Sequence, residues 1–226
     1  MNPTPESRVG EIATRYPLAT RVFARHGIDF CCGGGIALAD ACAKRRLDTA
    51  DVLEEIERTI AAPGADEADT RWDARPLGDL VRHIVDRFHG PLREELPRLE
   101  SMARKVVRVH RDKDPERLDA LLESFCKLKG ELDEHMREEE ENLFPAILAR
   151  GASDPDSVAP MAPFIDDHSR VGVELGRIRE LTDDFHAPAG ACNTWNALWH
   201  GLEALEADLH QHIHLENNIL FARASA

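Results

Sequence analysis

Apolar positions recur every three to four residues along most of the chain, the period of an amphipathic helix. Alternating β-branched runs that would signal strands are sparse. Near the start, PLATRVFARHG reads as a short helix, with Pro17 near its first turn and Gly27 as its C-terminal stop. After a CCGGG turn, IALADACAKRRL forms a second helix. In DTADVLEEIERTI, Asp48 or Thr49 is placed to cap a third. These elements make a small helical domain over residues 1–62. The segment AAPGADEADTRWDARP is small, polar and broken by Pro and Gly, and it reads as a linker over 63–76.

From Leu77 on, the pattern gives four long helical stretches, at 77–110, 115–150, 163–186 and 192–223. The breaks RDKDPE, RGASDPDSVAPMAP and HAPAGA are rich in residues that end helices. Pro91 and Pro97 fall inside the first stretch, where each removes a backbone donor and is expected to kink the helix. The expected fold is all-α: a small N-terminal helical domain followed by an antiparallel four-helix bundle over 77–226.

Composition narrows the partners. The formal net charge is −14, from 28 basic and 42 acidic residues. That field repels nucleic acid and anionic membranes. No apolar run approaches the roughly 20 residues that span a bilayer, and MNPTPESRVG lacks the apolar core of a signal peptide. Five scattered cysteines make a poor disulfide framework. The expectation is a reduced, cytoplasmic protein, monomeric or a homodimer.

The second and fourth helices share a motif. HMREEEENLF starts at His135 and HIHLENNILF at His212, and both read H-x3-E-x3-L-F. His89 and His168, on the first and third helices, are each followed by Glu-Leu at +6 and +7. The four helices therefore read as two copies of one hairpin. Residues i and i+4 share a helix face, so His135 with Glu139, and His212 with Glu216, each offer an imidazole and a carboxylate to one side. A single such pair is ordinarily a solvated ion pair. Leu132, Leu143, Leu209 and Leu220 point that side inward, and buried carboxylates are costly without a cation. With His89 and His168 the set is four His and two Glu. Such ligands in a bundle suit iron or manganese, with zinc also open on ligand type alone.

On these motifs, residues 77–223 resemble a hemerythrin-like domain. With the DFCCGGG unit, nearly the whole chain resembles the iron-sulfur cluster repair di-iron proteins, the RIC (repair of iron centres) family, with its ScdA-type N-terminal domain. The resemblance implies two non-haem iron ions, bridged by an oxo group and by carboxylates. Their ligands fall on His89, His135, Glu139, His168, His212 and Glu216. Oxygen-carrying hemerythrins use five His; four leave the irons more accessible. His83, His110, His186, His200, His210 and His214 are expected at the surface or behind the ligands, with His210 and His214 on the far side of the helix from His212.

The resemblance also gives Cys31 and Cys32 a role: thiolates that receive or present iron, or react with nitric oxide. Next to glycines that open a helix, they are expected to feel the helix dipole and to have a lowered pKa. The glycines would let a partner's backbone or a cluster approach. Cys42, Cys126 and Cys192 read as ordinary buried residues. The implied function is repair of iron-sulfur clusters damaged by nitrosative or oxidative stress, by iron donation to damaged or apo iron-sulfur proteins. The alternatives are a di-iron enzyme that reduces nitric oxide and a carrier or sensor of NO or O2.

Overall fold

A computed structural model describes residues 2–61, 71–153 and 161–225. Its long elements are helices, and the described residues contain no strand beyond one bridge between Arg8 and Ala37. Residues 63–70 of the expected linker, Ala62 just before it, and 154–160 of the expected loop lie outside the described residues. The chain divides into two compact units, one of residues 1–82 with 210–226 and one of residues 83–209.

The first unit contains α1 (Val9–Arg15), α2 (Ala19–Arg25), α3 (Leu38–Arg45) and α4 (Thr49–Ile60). The first of these precedes the helices read from the sequence pattern. Gly27 ends α2 with a φ of 61°, and the Ile28 N–H reaches back to the Phe23 carbonyl at 2.8 Å. That is a Schellman-type stop, which a side chain would strain. Asp48 caps α4, accepting from the Ala50 N–H at 2.7 Å. The core gathers Val9, Ile12, Val22, Phe23, Phe30, Leu38, Val52 and Ile56. The unit also contains a π-helical segment, π3 (Leu215–Phe221), on which α1 packs.

The second unit holds most of four long helical stretches. The first runs through α5 (Leu77–Ile84), π1 (Val85–His89) and α6 (Gly90–His110). The second is α7 (Pro115–Glu138), π2 (Glu139–Leu143) and α8 (Phe144–Ser153). Then come α9 (Ala162–Leu181) and α10 (Asn193–His214), which continues into π3. Pairings run in opposite directions. Arg87 meets Asp208 while His110 meets Cys192, so α10 is antiparallel to the first stretch. Ser124 meets Glu174 while His135 meets His168, so α7 and α9 are antiparallel too. Leu96, Leu99, Phe125, Leu128, Leu198 and Trp199 are buried between them. Truncating one such leucine to alanine costs about 2–5 kcal/mol.

Two departures from the sequence pattern have local causes. Pro91 follows π1 rather than breaking a helix, and Pro145 follows π2 in the same way. In each case the residue before proline bonds five residues back: Gly90 N–H to Val85 O, and Phe144 N–H to Glu139 O. The proline has no N–H and its ring displaces the carbonyl four residues earlier, so the turn widens. Pro97 lies inside the continuous α6. The third stretch ends at Leu181, short of 186, because Asp183, Asp184 and Phe185 take left-handed φ values of 52°, 55° and 61°. Thr182 holds that turn: its hydroxyl accepts from the Phe185 N–H and its carbonyl accepts from the Trp199 indole at 3.0 Å.

Candidate metal centre

Four of the six expected ligands come together in the second unit. His89 ends π1, His135 lies on the last turn of α7, Glu139 opens π2 and His168 lies on α9. All four are buried, His89 and Glu139 completely. Nε2 of His89 lies 3.4 Å from one oxygen of Glu139, and Nε2 of His135 lies 3.3 Å from the other. The Nε2 atoms of His135 and His168 are 2.9 Å apart. Ligand atoms of His135, Glu139 and His168 all fall within 4.8 Å of one another. Neither oxygen of Glu139 has a hydrogen-bond partner among the described residues. A fully buried carboxylate with imidazole nitrogens turned toward both oxygens has the donor chemistry of a cation site, because a buried carboxylate is costly without a positive charge beside it. The donor set of nitrogen and oxygen fits iron.

Carboxylates behind the imidazoles aim them. His89 Nδ1 is 2.7 Å from Glu140, and Arg93 donates to the same oxygen at 2.7 Å. Burial pushes the Glu140 carboxyl up, but the His89 and Arg93 hydrogen bonds outweigh it and leave the group below the ordinary carboxylate range. His135 Nδ1 lies 3.3 Å from Asp167, which Arg170 also engages. A carboxylate at Nδ1 keeps the proton there and leaves Nε2 free to ligate.

The other two expected ligands belong to the first unit and pair with each other. His212 Nε2 lies 2.8 Å from Glu216, one turn on, and both are buried. Next to them, Asn218 donates to the carbonyls of Phe30 and Cys31 at 3.2 and 3.3 Å, and Asn217 reaches the Cys31 carbonyl at 3.5 Å. The helix turn that carries Glu216 is thus tied to the cysteine turn.

One expectation is narrowed here and two need correction. His214 is on the far side of its helix from His212, and of the two places expected for it burial excludes the surface. Its ring meets Phe30 edge-on at 5.6 Å, and burial pulls its pKa down to about 4. Cys31 is not at a helix N-terminus, since α3 starts at Leu38. Its thiol is pushed well above the usual value by its hydrogen bond with Cys32, by burial and by the nearby Asp29 charge. Asp29 takes the turn's free donors, accepting from the N–H groups of Cys31, Cys32 and Gly33 at 3.0, 3.0 and 2.9 Å. The chain itself needs two of the glycines: a Cβ on Gly34 would lie 2.8 Å from the Phe30 carbonyl, and one on Gly33 2.9 Å from Asp29. Finally, of the three cysteines read as buried, only Cys42 is; Cys126 and Cys192 are half-buried.

Comparison with known proteins agrees with this geometry. Residues 80–224 match the hemerythrin HHE cation-binding domain, and residues 5–59 match a domain of unknown function (DUF542) named for the N-terminus of ScdA. The fold and buried site thus define a hemerythrin-type helical bundle with a metal-binding His/Glu cluster. The chain is 41% identical over 221 residues to an iron-sulfur cluster repair protein YtfE of Musicola paradisiaca, covering 97% of this chain and 96% of the relative. It is 40% identical over 220 residues to the YtfE of Pectobacterium atrosepticum, with 97% and 96% covered. It is 35% identical over 224 residues to an iron-sulfur cluster repair protein ScdA of Staphylococcus haemolyticus, with 98% and 99% covered. The chain belongs to the iron-sulfur cluster repair protein family.

Proposed function

We propose that this protein holds two irons and supports the repair of iron-sulfur clusters damaged by nitrosative or oxidative stress, by donating iron. In this reading the six expected ligands, His89, His135, Glu139, His168, His212 and Glu216, would hold the irons. The carrying observation is Glu139, fully buried with an imidazole nitrogen turned toward each oxygen and no hydrogen bond to either. The match of residues 80–224 to the hemerythrin cation-binding domain takes in all six positions.

Bound iron supplies one-electron chemistry and open positions for small ligands. The chain's own groups position it. Glu140 and Asp167 keep protons on Nδ1 of His89 and His135, and Leu132, Leu143 and Phe144 exclude water. Cys31 and Cys32 receive or present the iron, or a nitrosyl group, in transfer. The tie between Asn217, Asn218 and the cysteine turn supports that role, because it joins the turn to the helix carrying Glu216. The five cysteines are not joined in disulfides, as suits a reducing cytoplasm.

The experiment is iron transfer to an apo iron-sulfur protein. The wild-type protein restores the acceptor's cluster. Replacing Cys31 and Cys32 by Ala keeps the protein's own iron but abolishes transfer. No transfer from the iron-loaded wild type would overturn the donation reading, and unchanged transfer by the variant would remove the cysteines from it.

A further inference from the structure

Outside the metal centre, the ends of two antiparallel helices bring a second thiol against an imidazole. His110 is the last residue of α6, and Cys192 immediately precedes α10. Cys192 Sγ lies 3.2 Å from His110 Nε2. We infer that Cys192 and His110 form a reactive thiol–imidazole pair that takes low-molecular-weight disulfides of the glutathione class.

Several features favour a thiolate at this position. The Cys192 carbonyl accepts the Asn196 N–H at 3.0 Å, so Cys192 occupies the N-cap of a 22-residue helix. A side chain there faces the free N–H groups of the first turn and the positive end of the dipole. The Trp195 N–H does most to draw the thiol below its ordinary value; partial burial opposes, and the Thr194 N–H and the Lys105 charge add to it. Cys31, Cys42 and Cys126 all shift the other way. The imidazole is held in place. Its ring lies over Trp195, with centroids 5.0 Å apart, and Trp195 is itself packed edge-on against Trp199 at 5.6 Å. Cys192 and His110 are both half-buried, so a small reagent reaches the sulfur while bulk water does not surround it.

The chemistry balances without any further oxidant. The Cys192 thiol passes its proton to His110 Nε2. The thiolate attacks one sulfur of the disulfide, a new Sγ–S bond forms, and the disulfide's own S–S bond breaks. The departing thiolate takes the proton from Nε2. Cys192 is oxidised to a mixed disulfide and one thiol is released.

The test uses the full chain, incubated with oxidised glutathione and, in parallel, with the neutral bis(2-hydroxyethyl) disulfide, between about pH 6 and about pH 9. The neutral reagent removes any repulsion of glutathione by the acidic chain. Peptide mass spectrometry follows the adduct at each cysteine. Cys192 should react about tenfold faster than Cys126 at neutral pH, with a rate midpoint below that of an ordinary thiol. His110→Gln should move the midpoint upward. The wild-type profile decides the matter even if that variant folds poorly. A Cys192 rate no greater than that of Cys126 with both reagents, or an ordinary midpoint in the wild type, overturns the proposal.

Discussion

His89 and Glu140, each inside a π turn of a different helix, meet at 2.7 Å through Nδ1 and a carboxylate oxygen. The contact fixes which nitrogen of His89 faces inward. Replacing Glu140 by Gln keeps the shape but removes the charge that holds the Nδ1 proton. Iron affinity should fall about 10- to 100-fold, with little loss of fold. Competition with a chromophoric chelator reads the affinity directly, and an unchanged value would mean that His89 needs no such support.

The tie between Asn218 and the cysteine turn gives a second expectation. Asn218→Ala removes hydrogen bonds to the carbonyls of Phe30 and Cys31. The turn should open more often, at a cost of about 1–2 kcal/mol. Hydrogen exchange at the amides of residues 31–34 should speed up while the core of α7 stays protected.

Among the glycines after the cysteines, Gly34 and Gly35 should behave oppositely. A Cβ on Gly34 meets the Phe30 carbonyl at 2.8 Å and Gly10 Cα at 3.0 Å, whereas one on Gly35 meets nothing within 4 Å. Gly34→Ala should destabilise by about 1–3 kcal/mol, and Gly35→Ala should be close to neutral. Thermal unfolding of the two variants separates them.

Acid sensitivity follows from Glu174, buried on α9. The Lys127 ammonium holds its carboxyl below the ordinary range against the effect of burial, and the Ser124 hydroxyl helps. A carboxyl whose folded pKa is lowered contributes stability above its unfolded pKa and loses it as pH falls through the folded one. The protein should therefore lose stability from about pH 4.3 downward. Glu174→Gln should be less stable at neutral pH and show a shallower decline in acid, as denaturant midpoints across pH would report.

Much of the site was legible because it depends on spacing. The repeated H-x3-E-x3-L-F fixes helix faces whatever the surroundings, and the leucines flanking it are buried as their period requires. The π turns were missed. Pro91 and Pro145, each two residues past such a turn, were the available signal for π1 and π2, but π3 has no proline after it. Nor does spacing tell where His214 goes: pointing away from His212 means facing Phe30, not water. Cys31 was misjudged for a similar reason. The three glycines after it do not start a helix, and Asp29 claims the amides that would have favoured a thiolate. The carboxylates behind the imidazoles, Glu140 and Asp167, sit among many acidic residues and carry no mark of their own in the sequence.

The metal centre can be read by elemental analysis of protein purified without added metal, paired with its visible spectrum. Wild-type protein should carry about two irons per chain, with near-ultraviolet bands of a bridged ferric pair, both lost in Glu139→Ala. Zinc, or no metal at all, in the wild-type protein would contradict a di-iron centre.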